Sequence, residues 1–464
     1  MIQQVFAELS TYHIIFFFIA VIGVCAFEFV NGFHDTANAV ATVIYTKSLK
    51  PLTAIIWSGI WNFLGVWLGG IAVAMSIINL LPVNEMMVLS QDENIAIVFA
   101  VLLAAISWNL GTWYLGIPCS SSHTLIGSIL GAGMGFYWVH GGQGVNWGKA
   151  QDIGLSLLLS PAFGFTVVVA LLYILKYFIK SPEIFKDPSQ NNNRPPPPWI
   201  RLILLTTCTL VSFFHGNNDG QKGVGILMIV LLAMLPGYYA LNPELKTERL
   251  REAITNMKEA SAHYAHGTTD DPYHESLGSL DDLETDLQHV DGATKEQRLE
   301  MRRHIQVFAK TSKALLEDPA FLPEPDDRKK FKVGLSKLRH SIEFAPVEVV
   351  LLISLSLGLG TMVGWRRIVI TIGEKIGKSH LTYAQGAAAE LVAAGTIGLS
   401  SGLGLPVSTT HVLSSGIAGS MVAMGGMKNL QRATIKTIAT AWILTLPVTF
   451  LGALGFYYLF QWLL

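Results

Sequence analysis

The chain has 464 residues, of which 51% are hydrophobic and only 14% are charged. Its 32 basic and 33 acidic residues give a formal net charge of −1, and its mean hydropathy is positive. This composition excludes an ordinary soluble globular protein and indicates a protein that crosses a membrane several times.

The charged residues are unevenly distributed along the chain. The segment 241–345 holds 16 of the 32 basic and 20 of the 33 acidic residues, which leaves 29 charged residues for the other 359 positions. Long runs outside this segment lack Asp, Glu, Lys and Arg altogether. Since one spanning helix needs about 20 apolar residues, we predict an all-α integral membrane protein with roughly ten to twelve passes.

The first apolar run begins near Tyr12, after a start without Lys, Arg or a small-residue cleavage site. It is therefore predicted to be a retained helix rather than a signal peptide.

The three cysteines, Cys25, Cys119 and Cys208, stand singly in apolar surroundings. They indicate neither a disulfide framework nor a metal site built from thiolates.

The first helix leads into a polar motif, Gly32–Asn38, whose central acid is Asp35. A carboxylate after a long apolar run is costly to leave in hydrocarbon and usually marks a functional site. Because Gly and Asn flank Asp35, we expect the helix to break there and to free backbone groups for binding. A carboxylate with a purely structural role is the less favoured interpretation.

A hydroxyl-rich motif follows, in which Pro118 precedes three serines and His123. This order is typical of a helix start, with Ser as the cap, and the free N–H groups there form a seat for an anion. A single membrane Ser more often bonds to its own helix, but three beside a His favour a ligand role. Small residues at every fourth position then predict close packing on a neighbouring helix, as in a re-entrant hairpin. The serines are Ser120, Ser121 and Ser122, and the small residues are Gly127, Gly131 and Gly135.

Both motifs return in the second half of the chain. The acidic motif recurs around Asp219, 184 positions after Asp35, and the hydroxyl motif recurs before His411, 288 positions after His123. The difference of 104 is nearly the length of the charged segment, so the second half is the first half plus one hydrophilic insertion. The repeated hydroxyl residues are Ser408, Thr409 and Thr410, followed by the small residues Ser415, Gly419 and Ala423.

This repeat defines the predicted organisation of the chain. The predicted parts are a first membrane repeat (1–180), a Pro-rich linker (181–199), the start of the second membrane repeat (200–240), a hydrophilic, partly helical insertion (241–345) and the remainder of the second repeat (346–464). In the insertion, His263, His266 and His274 lack the regular spacing of metal ligands, so a solvated loop is favoured over a metal site.

Charge in the short loops indicates how the two halves are oriented. The loop 81–93 carries three acids and no cation, whereas its counterpart 365–380 carries four basic residues. By the positive-inside rule these loops lie on opposite faces, and the basic linker is expected to be cytoplasmic. We therefore favour inverted repeats, an architecture common among secondary transporters, over a parallel duplication.

Two acids beside a seat for an anion are compatible if the anion is itself protonated. Hydrogen phosphate has hydroxyl protons that a carboxylate can accept, whereas sulfate at neutral pH has none. A carboxylate in the site therefore favours phosphate and rejects sulfate through an unpaired, repelled charge. Alternatively the acids hold a coupling cation, and both roles can coexist.

The four motifs resemble the signatures of the inorganic phosphate transporter (Pit) family of the bacterial low-affinity type, which read approximately G-A-N-D-x-x-N and P-x-S-T-T-H once per half. The resemblance covers both membrane halves but not the insertion. It implies a multi-pass symporter of the bacterial plasma (inner) membrane that moves inorganic phosphate by alternating access with H⁺ or Na⁺. It also implies an inverted-repeat helical bundle with two re-entrant hairpins and broken helices at its centre.

Carried over by position, the resemblance assigns roles to individual residues. The signature residues of the broken helices are Asp35, Asn38, Asn218 and Asp219. The hydroxyls that face phosphate are those of Ser120, Ser121, Ser122, Ser408, Thr409 and Thr410. Glu390 resembles a family glutamate whose first-half counterpart is Asn62, and we group it with Asn38 and Asn218 as a coupling residue.

Two positions depart from the family pattern, because His34 and Lys222 stand where the signatures have Asn. An ammonium group cannot ligate Na⁺ and repels it, so we expect Lys222 to replace a coupling cation at one half-site. Transport then runs on protons through His34, Glu28, Glu390 or the two aspartates. Sodium coupling is the alternative, as is a Lys222 that extends to the membrane interface.

Other functions are less favoured. A serine hydrolase built on duplicated halves would carry two redundant triads, and a channel needs no buried titratable groups. A sulfate carrier is the nearest rival within the family. We therefore predict a transporter that is not an enzyme and has no cofactor or nucleic-acid partner. Membrane lipid, a divalent metal that travels with phosphate and a second copy of the chain are the further partners considered.

Overall fold

The computed structural model describes residue 6 and residues 9–142, 144–244, 246–262, 279–285, 287 and 292–464. Within these residues the backbone forms α-helices and short 3-10 turns, with one isolated bridge between Gly377 and Leu430 as the β feature. The predicted all-α class is therefore confirmed. The histidines considered for a metal site, His263, His266 and His274, lie outside the described residues.

The helices are numbered here in chain order. They are α1 Thr11–Asp35, α2 Ala37–Tyr45, α3 Pro51–Leu68, α4 Ala72–Ile78, α5 Val83–Met86, α6 Gln91–Tyr114, α7 Ser121–His140, α8 Trp147–Phe178, α9 Pro198–Met234, α10 Pro236–Tyr239, α11 Thr247–Ser261, α12 Lys295–Leu315, α13 Pro325–His340, α14 Val347–Thr361, α15 Arg366–Glu374, α16 Tyr383–Gly402, α17 Thr409–Gly425 and α18 Arg432–Leu463.

Several helices of the described part are long and apolar enough to cross a membrane, which supports a multi-pass membrane protein. They number six, or seven if the pair α14 and α15, bent by 63°, counts as one span. The six spans are α1 with α2, α3, α6, α8, α9 and α18. Helices α7 and α17, which follow the hydroxyl motifs, are rich in Ser and Gly and are not among them. The predicted pass number of ten to twelve, the hairpins and the inversion stay predictions.

The chain divides into two compact units. One consists of Met1–Ile14, Val83–Leu89 and Leu231–Ala345, and the other of Ile15–Pro82, Ser90–Val230 and Pro346–Leu464. The second unit, called the membrane unit below, contains both copies of each motif.

Packing within the membrane unit is reciprocal between the two halves of the sequence. Helix α7 of the first half packs along α18 of the second, and α17 of the second half packs along α8 of the first. The predicted small residues make this possible. A Cβ atom on Gly131 would lie 2.1 Å from the carbonyl oxygen of Phe450, and one on Gly419 would lie 2.6 Å from that of Phe165. The predicted close packing of these small residues is therefore confirmed.

Replacing Gly131 by Ala is expected to lower the free energy of unfolding by about 1–3 kcal/mol, because the added methyl group forces α7 and α18 apart. The measurement is thermal unfolding of the detergent-solubilised protein. Gly111→Ala is the matched control, since a Cβ at Gly111 meets no atom within 4 Å. Equal unfolding midpoints for the two variants would contradict the packing described for Gly131.

The two acidic motifs differ in their backbone. After Asp35 the helix is interrupted at one residue, Thr36, whose hydroxyl donates to the carbonyl of Gly32 at 2.6 Å. At Asp219 the predicted break is wrong, because α9 continues through the motif without interruption. The glycines there serve packing instead: a Cβ on Gly216 would lie 2.2 Å from the carbonyl oxygen of Asn62, and one on Gly220 would lie 2.2 Å from Val66.

The first unit, which includes the predicted insertion, has its own hydrophobic core. Helices α11 and α13 pack together, and buried side chains such as Met257, Phe308 and Phe331 fill the space between helices. Helix α12 begins at a capping box, in which Thr294 accepts from the N–H of Gln297 at 3.4 Å and the Gln297 side chain accepts from the N–H of Thr294 at 2.9 Å. Local capping and burial thus explain helices in a segment with so many charges.

A buried arginine joins the two ends of this insertion. The Arg302 guanidinium donates to the carbonyl of Ala240 at 2.9 Å and to that of Ile342 at 3.1 Å. Burial lowers the pKa of Arg302 to about 10, so the side chain is still charged at neutral pH. The chain therefore enters and leaves the insertion at neighbouring points, which the backbone bond from Asn242 to Ser341 at 2.8 Å also marks.

Arg302→Met is expected to destabilise this unit by about 1.5–3 kcal/mol, because two buried carbonyl groups lose a charged donor. The loss should appear as faster cleavage of the insertion in limited proteolysis. Arg303→Met is the matched control, since the neighbouring Arg303 is exposed. Equal cleavage rates would argue against a stabilising role for Arg302.

Candidate functional site

The two motif aspartates meet in the interior of the membrane unit. Asp35 and Asp219 are 1% and 0% exposed, and one carboxylate oxygen of each and one ring nitrogen of His215 lie within 4.8 Å of one another. A carboxylate pair without water needs donors or a counter-charge close by. Helices α7 and α17 supply the donors, and α9 itself supplies the counter-charge.

Two motif hydroxyls donate to the aspartates. Ser121, in the first turn of α7, donates to Asp35 Oδ2 at 2.8 Å and lies 3.4 Å from Asp219 Oδ2. Thr410, in the first turn of α17, donates to Asp35 Oδ1 at 2.7 Å. One hydroxyl from each half of the chain therefore reaches the same carboxylate.

The starts of α7 and α17 face this cluster. Ser120 caps α7 by accepting from the N–H of His123 at 3.2 Å, and Ser408 caps α17 by accepting from the N–H of His411 at 3.1 Å. The predicted helix starts are therefore confirmed, and these two hydroxyls serve as caps and do not reach the aspartates. Thr409, the first residue of α17, is buried beside them.

The two hydroxyl motifs also contact each other. Ser122 donates to the carbonyl of Val407 at 2.7 Å. The rings of His123 and His411 lie 4.5 Å apart between centroids, and the ring of His411 lies 3.9 Å from that of Trp442 at a tilt of 31°. The two helix starts, each with its partial positive charge, thus converge on one region.

Lys222 supplies a positive charge to the cluster. Its Nζ lies 2.8 Å from Asp219 Oδ1 and donates to Ser122 Oγ at 2.5 Å, and the residue is 1% exposed. The alternative in which Lys222 extends to the membrane interface is therefore wrong. The ammonium group is paired with a carboxylate because an unpaired buried charge would be far less stable.

His215 is a member of the cluster that sequence reasoning missed. Its Nε2 lies 3.8 Å from Asp35 Oδ2 and 3.6 Å from Asp219 Oδ2, while its Nδ1 lies 2.8 Å from Asn62 Oδ1. The available signal was its position four residues before Asp219, which puts both side chains on one face of α9.

The two signature asparagines support the second hydroxyl motif. Asn38 donates to Thr410 Oγ1 at 3.1 Å, which holds the hydroxyl that reaches Asp35. Asn218 donates to Ser401 Oγ at 3.0 Å and accepts from the N–H of Val407 at 3.3 Å. Both side chains therefore position the loop ahead of α17.

His34 links the cluster to a groove. Its Nδ1 lies 3.4 Å from Asp35 Oδ1, and its Nε2 lies 3.2 Å from Thr112 Oγ1. Thr112 lines a groove of about 460 Å³ between α6 and α18, together with Trp108 and Lys436. Thr112 and His34 thus form a continuous polar path from that groove to Asp35.

The two predicted glutamates are buried but bond elsewhere. Glu28 accepts from Asn31 at 3.2 Å and packs against Gly223 of α9. Glu390 accepts from Thr207 Oγ1 at 2.5 Å. Neither is hydrogen-bonded to Asp35 or Asp219 among the contacts that the described residues make.

The oxygen and nitrogen atoms of Asp35, Asp219 and His215 are close enough to surround a cation. In this cluster, however, the Lys222 ammonium already neutralises Asp219, and the Ser121 hydroxyl bonds to Asp35. Lys222 thus balances one of the two carboxylate charges and hydroxyl donors solvate the other, and we assign no metal to these residues.

Comparison with known proteins gives a consistent result. A family model described as the phosphate transporter family matches residues 31–453. The chain is 39% identical to the low-affinity inorganic phosphate transporter PitA of Escherichia coli K12, over 98% of this chain and 99% of the relative. It is 37% identical to PitB of the same organism over the same shares. It is also 28% identical to a probable low-affinity inorganic phosphate transporter of Bacillus subtilis, over 95% of this chain and 96% of the relative.

Among solved structures the chain resembles one titled the sodium-dependent phosphate transporter. The TM-score is 0.56 at 20% sequence identity, over 97% of this chain and 100% of the other. At this identity the likeness shows that the two share a fold.

Proposed function

The chain belongs to the phosphate transporter family, and on that premise we propose that it carries inorganic phosphate across the bacterial plasma membrane together with protons. Its relatives from Escherichia coli are named low-affinity inorganic phosphate transporters. The observation that carries the proposal is the convergence of both aspartates with one hydroxyl from each half, Ser121 and Thr410. Membership of this family argues against the serine hydrolase that was considered from the sequence.

The chemistry of this cluster suits hydrogen phosphate. The anion can accept hydrogen bonds from Ser121, Thr410 and the first N–H groups of α7 and α17, while its own hydroxyl donates to Asp35 or Asp219. Sulfate has no proton to donate, so its oxygen would face a carboxylate without a bond. The site therefore recognises the protonated oxygen of the substrate.

Transport through this site requires rearrangement of the helices around it. Asp35, Asp219, Ser121 and Thr410 are all buried. A substrate reaches them only if the α7 and α17 starts separate from the aspartates on one side at a time. This is the alternating access expected of a duplicated transporter.

Coupling to protons is favoured by Lys222. Its ammonium group pairs with Asp219, the carboxylate that a sodium ion would otherwise use. The solved structure with a similar fold is titled sodium-dependent, so sodium coupling is the second candidate. The two candidates differ in which gradient drives uptake.

Purified protein in lipid vesicles tests this choice. We expect labelled phosphate to accumulate when a pH gradient is imposed without sodium, and not when a sodium gradient is imposed at equal pH. Accumulation that follows sodium and ignores pH would overturn proton coupling while leaving phosphate as the substrate. No accumulation under either gradient would overturn transport.

Anion competition is expected to follow the protonated oxygen. Arsenate, which carries the same hydroxyl proton near neutral pH, should inhibit phosphate uptake at concentrations similar to that of phosphate. Sulfate should inhibit only at a concentration at least about a hundredfold higher. A site discriminates strongly against an anion that leaves its buried polar groups without hydrogen bonds. Equal inhibition by both anions would contradict the role given to the aspartates.

A further inference from the structure

His215 lies between the two carboxylates, yet none of the four motifs includes it. Its Nε2 points at both, at 3.8 Å from Asp35 Oδ2 and 3.6 Å from Asp219 Oδ2. What this nitrogen does depends on whether it carries a hydrogen, and the neighbouring hydrogen bonds decide that.

The hydrogen bonds of Asn62 fix the tautomer of His215. Thr361 donates its only hydroxyl hydrogen to the carbonyl of Leu357 at 2.9 Å, so the Asn62 group that lies 3.1 Å from Thr361 Oγ1 must be the NH₂. The Asn62 oxygen therefore faces His215 Nδ1 at 2.8 Å, and an oxygen there requires an N–H on Nδ1.

With the first proton on Nδ1, a neutral His215 presents the bare lone pair of Nε2 to two carboxylates. That contact is repulsive. A second proton turns Nε2 into a donor placed between both acids, and it also completes the charge balance. Asp35 and Asp219 contribute two negative charges and Lys222 one positive charge, so one further proton makes the buried cluster neutral.

The charged and hydrogen-bonding groups that contact His215 or its two aspartates come from five helices. They are His34 and Asp35 on α1, Asn62 on α3, Ser121 on α7, Asp219 and Lys222 on α9, and Thr410 on α17. Both carboxylate oxygens lie within 3.8 Å of Nε2, whereas Glu28 and Glu390 bond to Asn31 and Thr207 instead.

We propose that His215 holds the coupling proton and that Asn62 is the positioning residue that directs Nε2 at the aspartates. The inference rests on proton-coupled phosphate transport as proposed above. Nε2 takes a proton from water on the side of higher proton concentration and returns it to water on the other side. Histidine is neutral before the first step and after the last, so the cycle moves one proton and leaves the chain unchanged.

His215→Gln tests the proposal in vesicles, with phosphate uptake measured in two modes. Accumulation driven by a pH gradient needs a proton carrier, whereas exchange of labelled for unlabelled phosphate at equal pH does not. We expect accumulation to fall at least tenfold and exchange to fall by no more than a few fold. His140→Gln is the control, because His140 lies at the end of α7 and pairs with Glu93 away from the cluster. It should leave both modes unchanged.

Gradient-driven accumulation by His215→Gln at the wild-type level would overturn the inference and leave the proposed function intact. Failure of the wild-type protein to accumulate phosphate would overturn the proposed function, and this inference with it. If His215→Gln loses both modes, Asn62→Leu decides, since it keeps the imidazole and frees its orientation. A shift in the pH dependence of uptake supports the proposal, and an unchanged pH profile overturns it.

Discussion

Replacement of Asp35 by Asn is expected to lower phosphate uptake by about a hundredfold. Asp35 accepts hydrogen bonds from Ser121 at 2.8 Å and Thr410 at 2.7 Å, one from each half of the chain. Asn keeps the size of the side chain, removes its charge and turns one acceptor oxygen into a donor. Hydrogen bonds to charged groups contribute about 1.5–3 kcal/mol, and about 1.4 kcal/mol is tenfold in rate.

Asp152→Asn is the matched control for this substitution. Asp152 is exposed on α8, so the same chemical change there should leave uptake unchanged. Initial rates of labelled phosphate uptake, normalised to the amount of folded protein, provide the comparison. If Asp35→Asn transports as fast as the control, Asp35 does not belong to the substrate site.

Replacement of Lys222 by Asn, the residue of the family signature, is expected to have the second large effect. Uptake driven by a pH gradient should fall at least about tenfold, because removing one partner of a buried ion pair costs about 3–5 kcal/mol and leaves Asp219 unpaired. A carboxamide oxygen beside a free carboxylate is also a suitable ligand set for Na⁺. The remaining uptake should therefore be stimulated by sodium.

Uptake by the Lys222→Asn protein is measured with and without sodium at equal ionic strength. Lys428→Asn serves as control, because Lys428 is exposed in the turn after α17. If uptake by Lys222→Asn is reduced but is the same with and without sodium, Lys222 does not stand in for a cation. Unreduced uptake would remove Lys222 from the mechanism altogether.

Much of the central cluster could be predicted from the duplication. Asp35 and Asp219 each follow an apolar run, and Pro followed by Ser or Thr marks the start of α7 and of α17. These are local signals, with caps that the structure confirms at Ser120 and Ser408. Once both copies are assumed to face one substrate, the meeting of the motifs follows without coordinates.

Two features depended on contacts between distant segments and were therefore missed. Gly216 and Gly220 looked like helix breakers, but they allow α9 to approach Asn62 and Val66 of α3, so the helix continues. His215 has no repeated partner in the first half, where Asn31 occupies the position four residues before Asp35. A search of the helix face around each aspartate would have found it.

The insertion was predictable only in outline. Its charge indicated a hydrophilic segment with helices, and α11, α12 and α13 agree with that. The buried Arg302 could not be recognised among so many exposed basic residues. Its role comes from two carbonyls, of Ala240 and Ile342, that are 102 positions apart in sequence.

The reciprocal packing of the membrane unit has a mechanical consequence. Each helix that begins at a hydroxyl motif rests on the last helix of the opposite half, α7 on α18 and α17 on α8. Because these helices are in van der Waals contact, a movement of one half of the membrane unit also moves the other half. The transporter should switch between its two orientations as a single cooperative unit, with no stable form in which only one half has moved.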